Sequence, residues 1–218
     1  IGTFRGLNKY DSNKYYQYFC VHDSVGLPDN NISSVFRDSK NRLWITTANG
    51  ICYYNEQGKF TRIPLTMQNK NFTQILEDKA GRMFFTTGYT FYQYDEKTNK
   101  LVVKLKQLEE RPPFNLPCHI DDRDIIWIRT PQIITGYRSD TFQKVAEIKL
   151  SGHSQYSYLQ DGHKLWLSGY DGMQIFDTRT RQLQALPASL KSWSLPHDMV
   201  NIVHPYGKNG ILLNTTKH

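Results

Sequence analysis

One position recurs along this chain: a large aromatic or tryptophan side chain at Trp44, Phe84, Trp127 and Trp166, at intervals of 40, 43 and 39 residues. A chain that repeats itself on this scale builds its core from copies of one small unit, because a single copy buries too little surface by itself. Residues 31–60, NISSVFRDSKNRLWITTANGICYYNEQGKF, align almost without gaps with residues 71–101, NFTQILEDKAGRMFFTTGYTFYQYDEKTNKL. A further copy from Tyr156 reads YSYLQDGHKLWLSGYDGMQIFDTRTRQL, and CHIDDRDIIWIRTPQIITGYRSDTFQKV between them keeps the same order of features.

Each copy parses into strands. In the first, Ile32 to Arg37, Arg42 to Thr47, Ile51 to Tyr54 and Lys59 to Ile63 are strand-sized, separated by turns at Asp38–Asn41 and Ala48–Gly50. Asp38, Asp78 and Asp161 are placed to accept backbone N–H groups in the first turn, while Asn41, Gly81 and Gly162 suit a positive φ. Gly50 and Gly172 open the third strand after a tight turn. The third copy lacks these residues around Ile126 to Pro131, which predicts irregular turns there. An aromatic content of 13% also favours many short, half-buried strands.

A period near 40 residues with four strands per copy is that of an all-β propeller of four-stranded antiparallel blades. The landmark aromatics then wedge between neighbouring blades. Full blades are expected at 31–63, 71–105, 116–148 and 155–186, with half blades at 1–21 and 199–214, Leu212 taking the tryptophan slot in the last. The 218 residues form one propeller domain on this reading, either closing as five blades or forming part of a larger ring.

Residues 26–55, GLPDNNISSVFRDSKNRLWITTANGICYYN, resemble the two-component regulator propeller repeat, which runs from a Leu-x-x-Asn loop through Asp-x-x-Gly-x-Leu-Trp-Ile-Gly-Thr to Gly-Leu-x-x-Tyr. IGTFRGLNKYD at the start fits the second half of that pattern, and Leu195 to Val203 repeats the loop of Leu27 to Val35. Phe84, Asn41 and Leu212 depart from it. The resemblance implies a periplasmic sensor region of a hybrid two-component system, of the kind in which tandem propellers precede an immunoglobulin-like domain, a membrane helix and a histidine kinase, and which responds to oligosaccharides. The partners it implies are an oligosaccharide, the remaining sensor domains of a longer protein and a second copy in a homodimer.

Little in the sequence suggests chemistry. Cys20, Cys52 and Cys118 have no metal-ligand spacing and are expected to pack as small apolar groups. Gly152 to Tyr156 lacks the second glycine of a nucleophile elbow. Asp121, Asp122 and Asp124 do not follow a calcium-loop pattern and are expected to form a solvated turn, and His197 and His204 have no third ligand. No cofactor, metal or catalytic residue is expected. The 27 Lys and Arg against 20 Asp and Glu are spread along the chain; four lysines fall in Lys97 to Lys106, where alternation predicts an inward face of Leu101, Val103 and Leu105. Nucleic-acid binding is not expected. No stretch approaches the roughly eighteen apolar residues of a membrane span, so the chain is expected to be soluble, any export signal having been removed or lying upstream.

Propellers bind ligands through loops at one end of the blades. Side chains able to stack on or hydrogen-bond a sugar there are Arg129, His153, Tyr156, Tyr170, Trp193 and His197. The expected function is ligand recognition without catalysis in an extracytoplasmic sensor. A protein-interaction or dimerisation scaffold, and a glycan-active propeller enzyme, are the alternatives.

Overall fold

The computed structural model describes residues 1–20, 26–67, 70–88, 90–106, 118–130, 132–150, 154–169, 172–184, 186, 200–206 and 210–215, with no side-chain description for 154–156, 169, 172 and 200–215. The chain gathers into two compact units, Ile1–Asn115 and Leu116–His218. Every sheet is an antiparallel meander.

Unit 1 opens with β1 (Gly2–Thr3), β2 (Gly6–Asp11) and β3 (Lys14–Tyr18). The first full blade is β4 (Ile32–Arg37), β5 (Leu43–Thr47), β6 (Gly50–Tyr54) and β7 (Phe60–Arg62), and the second is β8 (Gln74–Glu77), β9 (Met83–Thr86), β10 (Thr90–Asp95) and β11 (Lys100–Lys106). Unit 2 holds β12 (Cys118–Ile120), β13 (Ile125–Arg129), β14 (Ile133–Arg138) and β15 (Lys144–Lys149), then β16 (Ser154–Gln160), β17 (Lys164–Gly169), β18 (Gly172–Asp177) and β19 (Gln182–Gln184), then the hairpin β20 (Val200–Tyr206) and β21 (Gly210–Thr215).

Register is the same throughout. Trp44 lies opposite Phe36, Phe84 opposite Leu76, Trp127 opposite His119, Trp166 opposite Tyr158 and Leu212 opposite His204. Thr3 lies opposite Gly6 as Thr47 lies opposite Gly50, so the first sheet starts two residues past the landmark slot.

The landmark side chains carry the packing. Trp44 is fully buried, with its ring 4.9 Å from Tyr53 in its own blade and 5.2 and 5.0 Å from Phe85 and Tyr94 in the next. Trp127 meets Phe176 of the following blade at 5.1 Å, within a cluster that includes Leu165 and Leu167. Phe84 and Trp166 are also buried. Tilted and edge-on contacts of this kind add to the stabilisation that ring burial itself supplies.

The first turn of each of the first three full blades is organised by one buried carboxylate, Asp38, Asp78 or Asp121. Asp38 accepts from the backbone N–H groups of Lys40 and Arg42 at 3.0 and 2.8 Å, from Arg42 Nε at 2.6 Å and from the indole Nε1 of Trp44 at 2.7 Å. Asp78 does the same for Ala80, Arg82 and Arg82 Nε, but Phe84 has no N–H to offer. Burial by itself would raise Asp38; the bonds from Trp44 and Arg42 outweigh it and hold the carboxyl below its ordinary range. Asn41, Gly81, Asp124 and Gly162 all take positive φ, at 63°, 74°, 58° and 68°.

Three expectations need correction. The third copy's first turn is regular: Asp121 is buried and accepts from Arg123 N, Ile125 N and Trp127 Nε1, so the first member of the acidic group is a capping carboxylate and not a solvated one. In the fourth copy Asp161 is not the equivalent of Asp38. Six residues before Trp166 stands Gln160, whose Oε1 accepts the indole N–H at 2.7 Å, while Asp161 is exposed with φ at 53°. Finally, a register shift between Phe91 and Tyr92 makes Lys104 a bulge residue in β11, and the inward face breaks: Leu101 and Leu105 are half-buried but Val103 is 51% exposed.

Candidate functional site

In a four-stranded meander the linker into the first strand and the turn between the second and third strands share one end of the sheet, and the other two turns share the opposite end. At the linker end of unit 1 the Leu-x-x-Asn loop is a structural bracket. Leu27 is fully buried beside Ile32, Ile45 and Cys52. Arg62 donates to the carbonyls of Gly26 and Leu27, and Asn30 accepts from Cys20 N through its side chain and from Gly6 N through its carbonyl. Gly50, with φ at 151°, closes against Pro28 there: a Cβ would lie 3.0 Å from Pro28 Cβ.

At the corresponding end of unit 2 the two innermost strands, β12 and β16, bring together a polar group. The Nε2 atom of His119 lies 2.9 Å from Ser157 Oγ in the next blade. Arg129, two residues past Trp127, is 2% exposed, with its Nη1 reaching Thr130 O at 3.4 Å. Its charge acts on both His119 and the buried thiol of Cys118. Burial pushes His119 down to about 4, with the Arg129 cation adding to the effect and a hydrogen bond to the Ser157 backbone opposing it. Burial likewise pushes Cys118 up to about 12.

Chemically, this is a neutral imidazole, a hydroxyl and a buried guanidinium. A histidine beside a serine invites comparison with a base and its nucleophile. Useful general bases, however, have conjugate acids stable near the working pH. Here burial and a neighbouring cation both destabilise imidazolium, and among the described residues no carboxylate hydrogen-bonds to His119. The arrangement suits hydrogen bonding to a polar ligand better than proton abstraction. Among the described residues no group of three side chains gathers to hold a metal ion.

Of the six residues expected to reach a ligand, Arg129 belongs to β13 and not to a loop, and the backbone of Tyr156 belongs to β16 opposite Ser168. His153, Tyr170, Trp193 and His197 lie outside the described residues. Sequence reasoning missed His119 and Ser157. The signal was there in the alignment, where Phe36, Leu76 and Tyr158 share the column of His119, and Val35, Ile75 and Cys118 share that of Ser157. Sequence reasoning named Arg129 but not the buried polar column to which Arg129 belongs, two residues past each landmark, with Thr46, Thr86 and Ser168 at the other three positions.

Part of one repeat matches a known type. Residues 26–49 match the family model described as two component regulator propeller. The fold is that of a β-propeller seen in solved structures. The extracellular domain described as that of hybrid two component system BT4673 of B. thetaiotaomicron superposes with a TM-score of 0.75 at 16% identity, over 99% of this chain and 31% of that one. The corresponding domain of BT3049 from the same organism gives 0.71 at 19%, over 97% and 29%. Virginiamycin B lyase of Staphylococcus aureus, an enzyme, gives 0.63 at 15%, over 84% and 62%. The chain thus spans about three-tenths of the length of these two extracellular domains. No curated protein sequence matches it.

Proposed function

We propose that this chain is a ligand-recognition part of the extracytoplasmic sensor of a two-component signalling system, that its ligand is an oligosaccharide, and that it carries out no chemistry of its own. The observation that supports this best is the conjunction of the repeat at residues 26–49 with likeness, over almost the whole chain, to two extracellular domains of such systems. The depressed basicity of His119 also favours recognition over catalysis. On this reading the protein works in the periplasm, and the remaining sensor domains and a second copy in a homodimer are its partners.

The test is a thermal-shift screen of the purified chain against neutral and acidic oligosaccharides, since a ligand that binds only the folded state raises the midpoint by mass action. A saturable shift with one saccharide class supports the reading. A cooperatively melting sample that shifts with none of them assigns the chain to the scaffold role, and turnover of any glycan assigns it to the enzymes.

A further inference from the structure

At the turn end of unit 1 a groove of about 420 Å³ runs between the first turns of the two full blades and out along β11. Its walls carry five cations, Lys40, Arg42, Arg82, Lys97 and Lys104, against two carboxylates, Asp95 and Glu96. Met83, Tyr94 and Val102 supply apolar surface, and Gln93 an amide. Two of the cations are pre-set: Arg42 and Arg82 each give Nε to a buried aspartate at 2.6 Å, and the Arg42 guanidinium lies over the rings of Trp44 and Tyr53 at 5.1 and 5.4 Å. The bulge in β11 falls at Lys104, and bulges serve to re-aim side chains.

The groove already seats one carboxylate. Glu96, on the turn between β10 and β11, accepts from Lys40 Nζ at 2.5 Å and from Arg42 Nη1 at 2.6 Å. These cations hold it below its ordinary range. The spacing of the two cations therefore fits an oxyanion.

The remaining chemistry selects among anions. Binding of single-stranded nucleic acid draws on exposed aromatic faces, but Tyr94 is 7% exposed and its hydroxyl is engaged by Asn99 at 2.9 Å. A polyphosphate gains nothing from Asp95 and Glu96. A saccharide carrying a carboxylate or sulfate uses everything present: cations for the charged group, carboxylates and an amide for its hydroxyls, and apolar side chains for its C–H face.

We infer that this groove binds an acidic saccharide unit, with its charged group among Lys40, Arg42, Lys97 and Lys104 and its hydroxyls on Asp95 and Gln93. The inference rests on the recognition reading above and names a site for it. Glu96 acts as an internal competitor that the ligand's anion displaces.

The experiment is isothermal titration of the full chain with a chondroitin sulfate tetrasaccharide, a neutral N-acetylglucosamine tetramer, inorganic sulfate and a thymidine oligonucleotide. The sulfated saccharide is expected to bind most tightly, and less tightly as salt is raised. Lys97→Gln and Lys104→Gln, both at exposed positions, are each expected to weaken it about two- to fivefold with an unchanged melting temperature. Glu96→Gln is expected to tighten it by a similar factor. Sulfated-saccharide binding that ignores all three substitutions overturns the groove but leaves saccharide recognition standing. Binding of the neutral tetramer alone has the same meaning. Equal affinity for inorganic sulfate, or preference for the oligonucleotide, overturns the saccharide assignment, and no binding of either saccharide by folded protein counts against both readings.

Discussion

Removing the carboxylate of Asp38 leaves three buried or half-buried donors without their acceptor: the N–H groups of Lys40 and Arg42 and the indole N–H of Trp44. Arg42 loses one bond but keeps Glu96 at 2.6 Å. An unsatisfied buried neutral donor costs about 1–3 kcal/mol. Water reaches the two backbone groups at the turn more easily than the indole, so Asp38→Ala is expected to cost about 3–5 kcal/mol. Asp78→Ala, which strands no indole, is expected to cost about 1–2 kcal/mol less. The indole's share can be isolated with Trp44→Phe, which gives the first blade the pair that Asp78 and Phe84 already form in the second. Equilibrium urea unfolding, followed by circular dichroism, of wild type, each single variant and the double variant closes the cycle. The expected coupling between Asp38 and Trp44 is about 1–2 kcal/mol, and a coupling under about 0.5 kcal/mol would refute the view that the carboxylate holds the ring. Because the carboxyl is depressed on folding, its contribution is present above the unfolded pKa of about 3.9 and disappears as pH falls through the lower folded value; Asp38→Ala should therefore flatten the acid limb of the stability profile.

Other perturbations follow the same logic. His119, held down at about 4, favours the neutral form, so the stability it confers is present above about 6.5 and is lost as pH falls toward 4; the loss is about 1–3 kcal/mol for a half-buried ring, and His119→Asn should abolish that part of the pH dependence. Gly50→Ala should destabilise by about 1–3 kcal/mol, since φ is 151° and the new methyl meets Pro28 at 3.0 Å; an unchanged melting temperature would contradict this. Cys52 and Cys118 are both pushed up to about 12 by burial, so a thiol reagent at mildly alkaline pH should label half-buried Cys20 first and the other two only on unfolding, as peptide mapping would show.

Strand ends in the first full blade were legible because glycine, asparagine and aspartate punctuate its turns. The expected strand Ile32 to Arg37 is β4 to the residue, and the neighbouring strands differ by one residue at their ends. Errors arose where a local pattern stood in for a position in the repeat. Asp161 drew attention through the Asp-Gly pair, yet counting back six from Trp166 leads to Gln160, the actual partner of the indole. The bulge at Lys104 has no glycine to mark it, so simple alternation carried Val103 inward when it faces solvent. His119 and Ser157 were missed for a different reason. They are 38 residues apart, and their contact exists only because adjacent blades set the same strand side by side. The groove in unit 1 likewise draws on three separate stretches of chain, so its lysines read singly as scattered surface charge.

The first turns differ in one respect that makes this molecule its own mutant series. Asp with Trp occurs in the first and third blades, Asp with Phe in the second and Gln with Trp in the fourth, all in the same register. Nature has thus made each half of a double exchange inside a single polypeptide, at constant temperature, solvent and concentration. Amide exchange measured turn by turn would read out those substitutions side by side, ranking how firmly an anionic cap, a neutral cap and a cap without an indole each hold the same loop closed, with no engineered variant needed.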